Sequence, residues 1–365
     1  MNLPLSSPIL PMLAKRVSEL PAAGDWFFEP KWDGFRALVF RDDDEIFIQS
    51  RDEKPLLRYF PELREPLAAQ LPPRCVLDGE IVIARDGALD FEALQLRLHP
   101  AASRIQKLAV EMPASVVFFD VLGVGDDSLL EKPFAKRREI LERLVMKGAP
   151  RPPLHITPVT RNRDVAADWF RRFEGAGLDG VIAKEASGGY APNKRVMLKV
   201  KHERECDCVV AGFRWHKGGE DVSIGSLLLG LYDDAGHLEH VGVCASFTTA
   251  KRRELLEFLA PYRENALHGH PWRAWADADA AAGNAPMHRR PGVGSRWSTG
   301  KDLSWQPLRP ELVVEVAYDH MQGSRFRHTA QFRRWRSDKR PRDCTFAQLE
   351  VVPPHELSQI FAAGR

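Results

Sequence analysis

The hexapeptide Lys31-Trp32-Asp33-Gly34-Phe35-Arg36 sets an amine beside a carboxylate, a glycine and a second cation. It directly follows Trp26-Phe27-Phe28-Glu29, which reads as a strand. A lysine amine attacks phosphorus only when unprotonated, and nearby positive charge from an arginine or a bound metal favours that form. Gly34 permits a tight turn or a close approach of phosphate to backbone. Further charged groups recur in order downstream. Ser50-Arg51-Asp52 closes a hairpin with an arginine, and Leu77-Asp78-Gly79-Glu80-Ile81 sets a carboxylate within a strand. Phe118-Phe119-Asp120 puts aromatics on a buried strand, and Asp179-Gly180-Val181-Ile182-Ala183-Lys184 brings an acid and a lysine. Lys199-Val200-Lys201 points two amines the same way by strand alternation, and Arg336-Ser337-Asp338-Lys339 closes the series.

These groups need elements to carry them. Arg36–Phe40 and Ile46–Gln49 flank the turn Asp42-Asp43-Asp44 and predict a hairpin. Val76–Ala84, ended by Asp86-Gly87, and Val116–Leu122 read as strands, whereas Phe91–Leu98 and Phe134–Val145 have helical apolar spacing. Asp164 is placed to cap a helix running to about Glu174, which Gly175 and Gly177 stop. Gly180–Lys184 and Met197–Lys201 follow as strands. Near Lys201–Glu205 the texture changes to short strands (Cys208–Phe213, Ser226–Tyr232, Leu238–Ser246, Leu312–Tyr318) and one helix, Lys251–Tyr262. That pattern predicts a small barrel of the OB type. The stretch from about Arg263 to Arg309 is long for a loop, and its tryptophans Trp272, Trp275, Trp297 and Trp305 argue that part of it packs down.

Composition narrows the classes. The 365 residues suit two domains, and 44% hydrophobic with 28% charged residues is that of a globular protein without a run of membrane length. The N-terminus lacks the basic-then-apolar order of a secretory signal, so a cytoplasmic protein is expected. Five cysteines without C-x-x-C spacing predict free thiols rather than a zinc site, with Cys206 and Cys208 on one face of a strand. A net charge of +2 leaves affinity for an acidic partner to local patches. One such patch runs from Arg325 to Arg342, with Phe326, Phe332 and Trp335 interleaved.

The ordered set resembles the nucleotidyltransferase motifs shared by ATP-dependent DNA ligases, RNA ligases and mRNA capping enzymes. Within that superfamily the chain is similar to the short bacterial ATP-dependent ligases of the ligase C type. The similarity shows in Glu29–Arg36, Leu178–Lys184 and Arg325–Phe332 and covers nearly the whole chain. It implies an α+β architecture. Residues 1–203 would form an adenylation (nucleotidyltransferase, ATP-grasp-like) domain of antiparallel sheets and helices, and residues 204–365 an all-β OB-fold barrel that binds DNA.

The resemblance also implies the chemistry. Lys31 attacks the α-phosphate of ATP and holds AMP as a phosphoramidate; AMP passes to the 5′-phosphate of nicked DNA; the 3′-hydroxyl then displaces it. Every step is a phosphoryl transfer, so cations must stabilise charge on phosphate oxygens. By the same matching, Lys199 and Lys201 serve the α-phosphate, and Lys184 joins the nucleotide site. Glu80 and Asp179 hold Mg²⁺, for which Mn²⁺ can substitute, with Glu80 also near the ribose. Phe119 stacks on adenine, Glu29 meets its amino group, Arg51 contacts ribose or nick phosphate, and Arg36 holds the DNA phosphate. Asp33 positions Lys31 or metal, and Arg336 with Lys339 orients the departing pyrophosphate. Two positions depart from the pattern: Asp179 stands where relatives often have glutamate, and Met197 where many carry an aromatic. The expected partner is nicked duplex DNA, bound by a monomer, with repair-polymerase or end-joining proteins as further candidates. The competing readings are an RNA ligase or GTP-using capping enzyme, and a non-catalytic nucleic-acid binder. Extra DNA contacts from Arg289, Arg290, Arg296 and Lys301 are a further expectation.

Overall fold

A computed structural model describes residues 1–146, 151–217, 219–275, 304–349, 353 and 355–362. The chain divides into two compact units, Met1–Lys201 with Val352–Arg365, and His202–Val351. The break at 201/202 lies beside the expected 203/204. The end of the chain differs from expectation: it returns to the first unit.

The principal strands of the first unit are β1 (Leu13–Arg16), β2 (Trp26–Pro30), β3 (Phe35–Asp42), β4 (Glu45–Ser50), β5 (Arg74–Val82), β6 (Ser115–Val124), β7 (Leu154–Ile156), β8 (Val181–Glu185) and β9 (Arg195–Val200). They form two sheets, ordered β1-β9-β8-β2 and β7-β6-β5-β3-β4. Most pairs are antiparallel as expected, but β1 with β9 and β7 with β6 run parallel. The run Ala37-Leu38-Val39-Phe40 is apolar on both faces because its sheet is covered on both sides. Leu38 and Phe40 pack with Met197 and Ile182 of the first sheet and with Tyr190 of the loop between β8 and β9, while Ala37 and Val39 meet Leu63, Leu67 and Leu141. Leu141 belongs to α1 (Phe134–Met146). Helix α2 (Arg163–Arg172) covers the far face of the first sheet, where Phe28, Val181, Ala183 and Val200 meet Ala166. Its cap is Asn162, whose side chain accepts from the Asp164 and Val165 N–H groups, so Asp164 sits in the first turn instead of capping it.

The second unit is built on β10 (Arg204–Trp215), β11 (Ile224–Tyr232), β12 (Leu238–Cys244), β13 (Gln306–Tyr318) and β14 (Gln331–Trp335), with α3 (Thr249–Arg263). Its five-stranded sheet has the order β12-β11-β10-β13-β14. Among the described residues the barrel does not close with a continuous ladder: its edge strands meet through a single bridge, Cys244 to Ala330. Cys206 and Cys208 are buried with sulfurs 3.7 Å apart, and all five cysteines are free. Trp272 and Trp305 are buried as expected. Trp297 and the cations Arg289, Arg290, Arg296 and Lys301 lie outside the described residues. Among those described, no helix is long and apolar enough to cross a membrane.

Candidate active site

Strand alternation and register assemble the site on the first sheet. Val181 pairs with both Pro30 and Val200, and Ile182 with both Glu29 and Lys199. One row across the sheet therefore reads Lys199, Ile182, Glu29, and the next reads Lys201, Gly180, Lys31. The backbone closes this second row, with Lys31 N–H donating to Gly180 O at 2.9 Å and Asp179 N–H to Lys31 O at 3.0 Å. Gly180 has φ +129°, and a Cβ there would lie 2.0 Å from Val200 O, so only glycine fits.

Asp179 joins the two amines. Its Oδ2 accepts from Lys31 Nζ at 2.6 Å and lies 2.8 Å from Lys201 Nζ. Burial would raise the Asp179 carboxyl, but Lys31 and Lys201 outweigh it and hold the group below its usual range. Lys199 is depressed by partial burial and by the charges of Lys31 and Lys201. Two amines thus share one carboxylate, and Lys199 lies near enough to feel the charges of all three, which leaves a surplus of positive charge suited to phosphate.

The second sheet faces this row with Arg36 and Glu80, register partners on β3 and β5. Gly34 lies against β5 so closely that a Cβ would sit 2.1 Å from Ile81 O, and its N–H bonds to Glu80. Burial pushes the Glu80 carboxyl up to about 7 despite Arg36 and Lys31 nearby. Asp33 is half-buried in the intervening turn. Arg51 is exposed just after Ser50, the register partner of Ala37.

Several of the expected site residues have protein partners here. Arg36 is engaged: its Nε and Nη2 each donate to Asp78 at 2.5 Å. Burial opposes the Arg36 charge, but Asp78 more than offsets that and holds the guanidinium above its ordinary value. The ring of Phe119, expected to stack on adenine, carries Arg36 at 4.6 Å and Lys184 at 4.8 Å. Lys184 is buried, with its amine 2.8 Å from Glu29 Oε2 and 3.0 Å from Phe119 O. Glu29 is also buried, and burial raises its carboxyl although Lys184 and Arg138 oppose the shift. Its second oxygen, Oε1, is buried with no partner. An orphaned acceptor fits an N–H donor such as a purine amino group.

Arg336 and Lys339 belong to the second unit. Arg336 Nη1 donates to Asp207 at 3.0 Å and to Glu315 at 3.2 Å, and Lys339 Nζ donates to Asp207 at 2.7 Å. Other members of the basic run are likewise paired, Arg334 with Glu315, Arg340 with Asp343, and Arg333 with Glu203 and Glu205, while Arg342 donates to Gly236 O at 3.0 Å. From Arg333 to Arg340 the run is a ladder of ion pairs rather than a uniformly cationic face.

Asp78 and Tyr190 were not singled out from the sequence. The Tyr190 hydroxyl donates to Asp78 Oδ2 at 2.7 Å, completing a buried anchor for Arg36. The signal was present, because Asp78 lies two residues before Glu80 and shares its strand face.

Comparison with known proteins follows the same division. A family model described as ATP dependent DNA ligase domain matches residues 11–201. A second, described as ATP dependent DNA ligase C terminal region, matches residues 220–339. The chain is 55% identical over 358 residues to DNA ligase C2 of Mycolicibacterium smegmatis, covering 98% of each. It is 54% identical over 362 residues to DNA ligase C of Mycobacterium tuberculosis, covering 99% of each. Among solved structures, one from a study of DNA binding by Lig E ligases aligns with a TM-score of 0.53 at 16% identity. It covers 90% of this chain and 100% of its own, and the likeness is one of fold.

Proposed function

The chain belongs to the ATP-dependent DNA ligases, and from that premise we propose that Lys31 is the residue that carries AMP. The protein is a DNA ligase that uses ATP and a divalent metal to seal nicks in duplex DNA. The observation that carries the assignment is the placement of Lys31, Lys201 and Lys199 around Asp179 on one sheet face.

Lys31 Nζ forms a bond to the α-phosphorus of ATP as the bond to the bridging oxygen breaks. Pyrophosphate leaves with that electron pair. Before attack the amine must give up a proton, and Asp179 Oδ2, already 2.6 Å away, holds that proton in a hydrogen bond. Lys199 and Lys201 balance charge on the α-phosphate oxygens, and Glu29 Oε1 accepts from the adenine amino group. Guanine would present its O6 acceptor to a like group, which favours ATP over GTP. Adenine stacking on Phe119 requires Arg36 or Lys184 to yield part of the ring. Arg36, freed from Asp78 or reaching past it, holds the DNA phosphate, and Arg51 lies close in register to assist. Arg336 and Lys339 serve the departing pyrophosphate in the first step.

Mg²⁺, or Mn²⁺ in its place, fits Glu80 and Asp179. Both offer hard oxygen donors, and a neighbouring cation restores the charge that burial disfavours on Glu80. Bound there, the ion would neutralise charge on the phosphate oxygens. The adenylation role of residues 1–203, the DNA-binding role of the OB unit, action as a monomer and association with the nucleoid belong to the same reading. So do possible repair-polymerase or end-joining partners.

The test is sealing of a labelled nicked duplex with ATP or GTP. Sealing with ATP that Lys31→Ala abolishes while the variant still retains nicked DNA supports the assignment. Sealing that survives Lys31→Ala contradicts it.

A further inference from the structure

The last helix, α4 (Leu357–Ala362), packs within the first unit beside the residues that flank the chemistry. Leu357 and Ile360 are buried in a cluster with Trp32, Val82, Val117 and Leu178. Trp32 follows Lys31, and Leu178 precedes Asp179. Val82 is two residues beyond Glu80 on the same strand face, and Val117 is the register partner of Glu80. One small hydrophobic cluster therefore touches the neighbours of the nucleophile and of both candidate metal carboxylates.

Phe361 makes the most specific contact. Its ring stacks on Trp32 at 5.3 Å with an interplanar angle of 16°, and on His155 at 4.1 Å and 18°. The Trp32 indole is fixed at its edge as well, because Nε1 donates to Thr157 Oγ1 at 2.8 Å. The Thr157 carbonyl in turn accepts from Arg138 Nη2 at 2.9 Å, and Arg138 acts electrostatically on Glu29. The helix is itself anchored, by Leu357 N–H to Gly87 O at 2.8 Å and by His355 stacked on Phe173 at 5.4 Å. Removing the Phe361 ring strips one face of the Trp32 indole, leaving its edge hydrogen bond and the apolar neighbours of the cluster to orient it less tightly.

We propose that Phe361 is a positioning residue for lysine adenylation, fixing the Lys31 turn through its stack on Trp32. This rests on the assignment of Lys31 as the AMP-bearing residue. An amine displaced by about 1 Å from its line of attack reacts on the order of 10²-fold more slowly. Contacts through a neighbouring residue transmit part of that displacement.

The experiment compares wild type, Phe361→Ala and Phe361→Tyr in the full chain. It measures single-turnover formation of the Lys31–AMP adduct across ATP concentrations, and separately the sealing of a nick that already bears a 5′-adenylate. Phe361→Ala is expected to slow adduct formation at saturating ATP roughly tenfold or more. Its half-saturating ATP concentration and the sealing of pre-adenylated nicks should stay within about threefold. Phe361→Tyr, which keeps the stacking ring, should restore the rate. Equal losses in both reactions would reveal a general folding defect and overturn the proposal, as would adduct formation at the wild-type rate. If wild type itself carries no AMP on Lys31, the underlying assignment fails instead, and the two failures are distinct.

Discussion

Lys31 and Asp179 form a 2.6 Å ion pair just beyond the ends of neighbouring strands, and the same carboxylate oxygen lies 2.8 Å from Lys201. Their backbones are also paired, Asp179 N–H to Lys31 O. The proposed nucleophile is therefore aimed by a carboxylate whose own position is set by the sheet.

Replacing Asp179 separates charge from reach. Asp179→Asn keeps the size but removes the charge that balances two amines, so lysine adenylation should fall on the order of 10²-fold. Asp179→Glu keeps the charge with one more methylene and should retain activity within about tenfold. Rapid-quench measurement of the adduct decides this. Equal rates for the two variants would contradict a role for the charge.

Glu80 makes two pH predictions. Its folded carboxyl titrates near 7 against 4.5 for the free group, with burial as the main cause. The folded chain therefore holds this proton more tightly than the unfolded one. The stability associated with protonated Glu80 is complete below the unfolded value and is lost as the pH rises through the folded one. In metal-free buffer the urea midpoint of wild type minus that of Glu80→Gln should fall between about pH 4.5 and 7. A flat difference would contradict the raised value. Added Mg²⁺ should shift the titration downward, because the ion favours the carboxylate.

Gly180→Ala tests the row that carries Lys31 and Lys201. The new Cβ meets Val200 O at 2.0 Å at φ +129°, so β9 must shift. We expect a destabilisation of about 2 to 4 kcal/mol and a loss of adenylation of at least about tenfold. Calorimetry and adduct formation measure the two effects. A variant as stable and active as wild type would refute the close approach.

Arg336 is paired with Asp207, Asp338 and Glu315. If its catalytic task is confined to pyrophosphate, Arg336→Ala should reduce lysine adenylation roughly a hundredfold. Sealing of pre-adenylated nicks should change by less than about fivefold. Equal loss in both reactions would assign Arg336 a structural or DNA-binding task.

Much of the site was legible because it obeys period-two alternation. Glu29 and Lys31, or Lys199 and Lys201, point the same way in any strand, and register then brings them into rows. What alternation does not give is partnership. Asp78 takes Arg36, and Asp207, flanked by two buried cysteines, takes both Arg336 and Lys339. These are long-range pairings that no local pattern encodes. The basic run looked like a phosphate surface because its carboxylate partners Glu203, Glu205 and Glu315 lie far away in sequence. The helix at Leu357–Ala362 was also missed, since a six-residue element has too few turns to show a period. Asn162 caps α2 where Asp164 was expected, because the two types cap equally well and stand two residues apart.

The most direct measurement is peptide mapping by mass spectrometry after the protein is incubated with ATP and Mg²⁺ and trapped before DNA is added. One AMP is predicted on Lys31, discharged when nicked DNA follows and absent from Lys31→Ala. AMP found on Lys199, Lys201 or Lys184 in a sealing-competent preparation, or on no residue at all, would contradict the account.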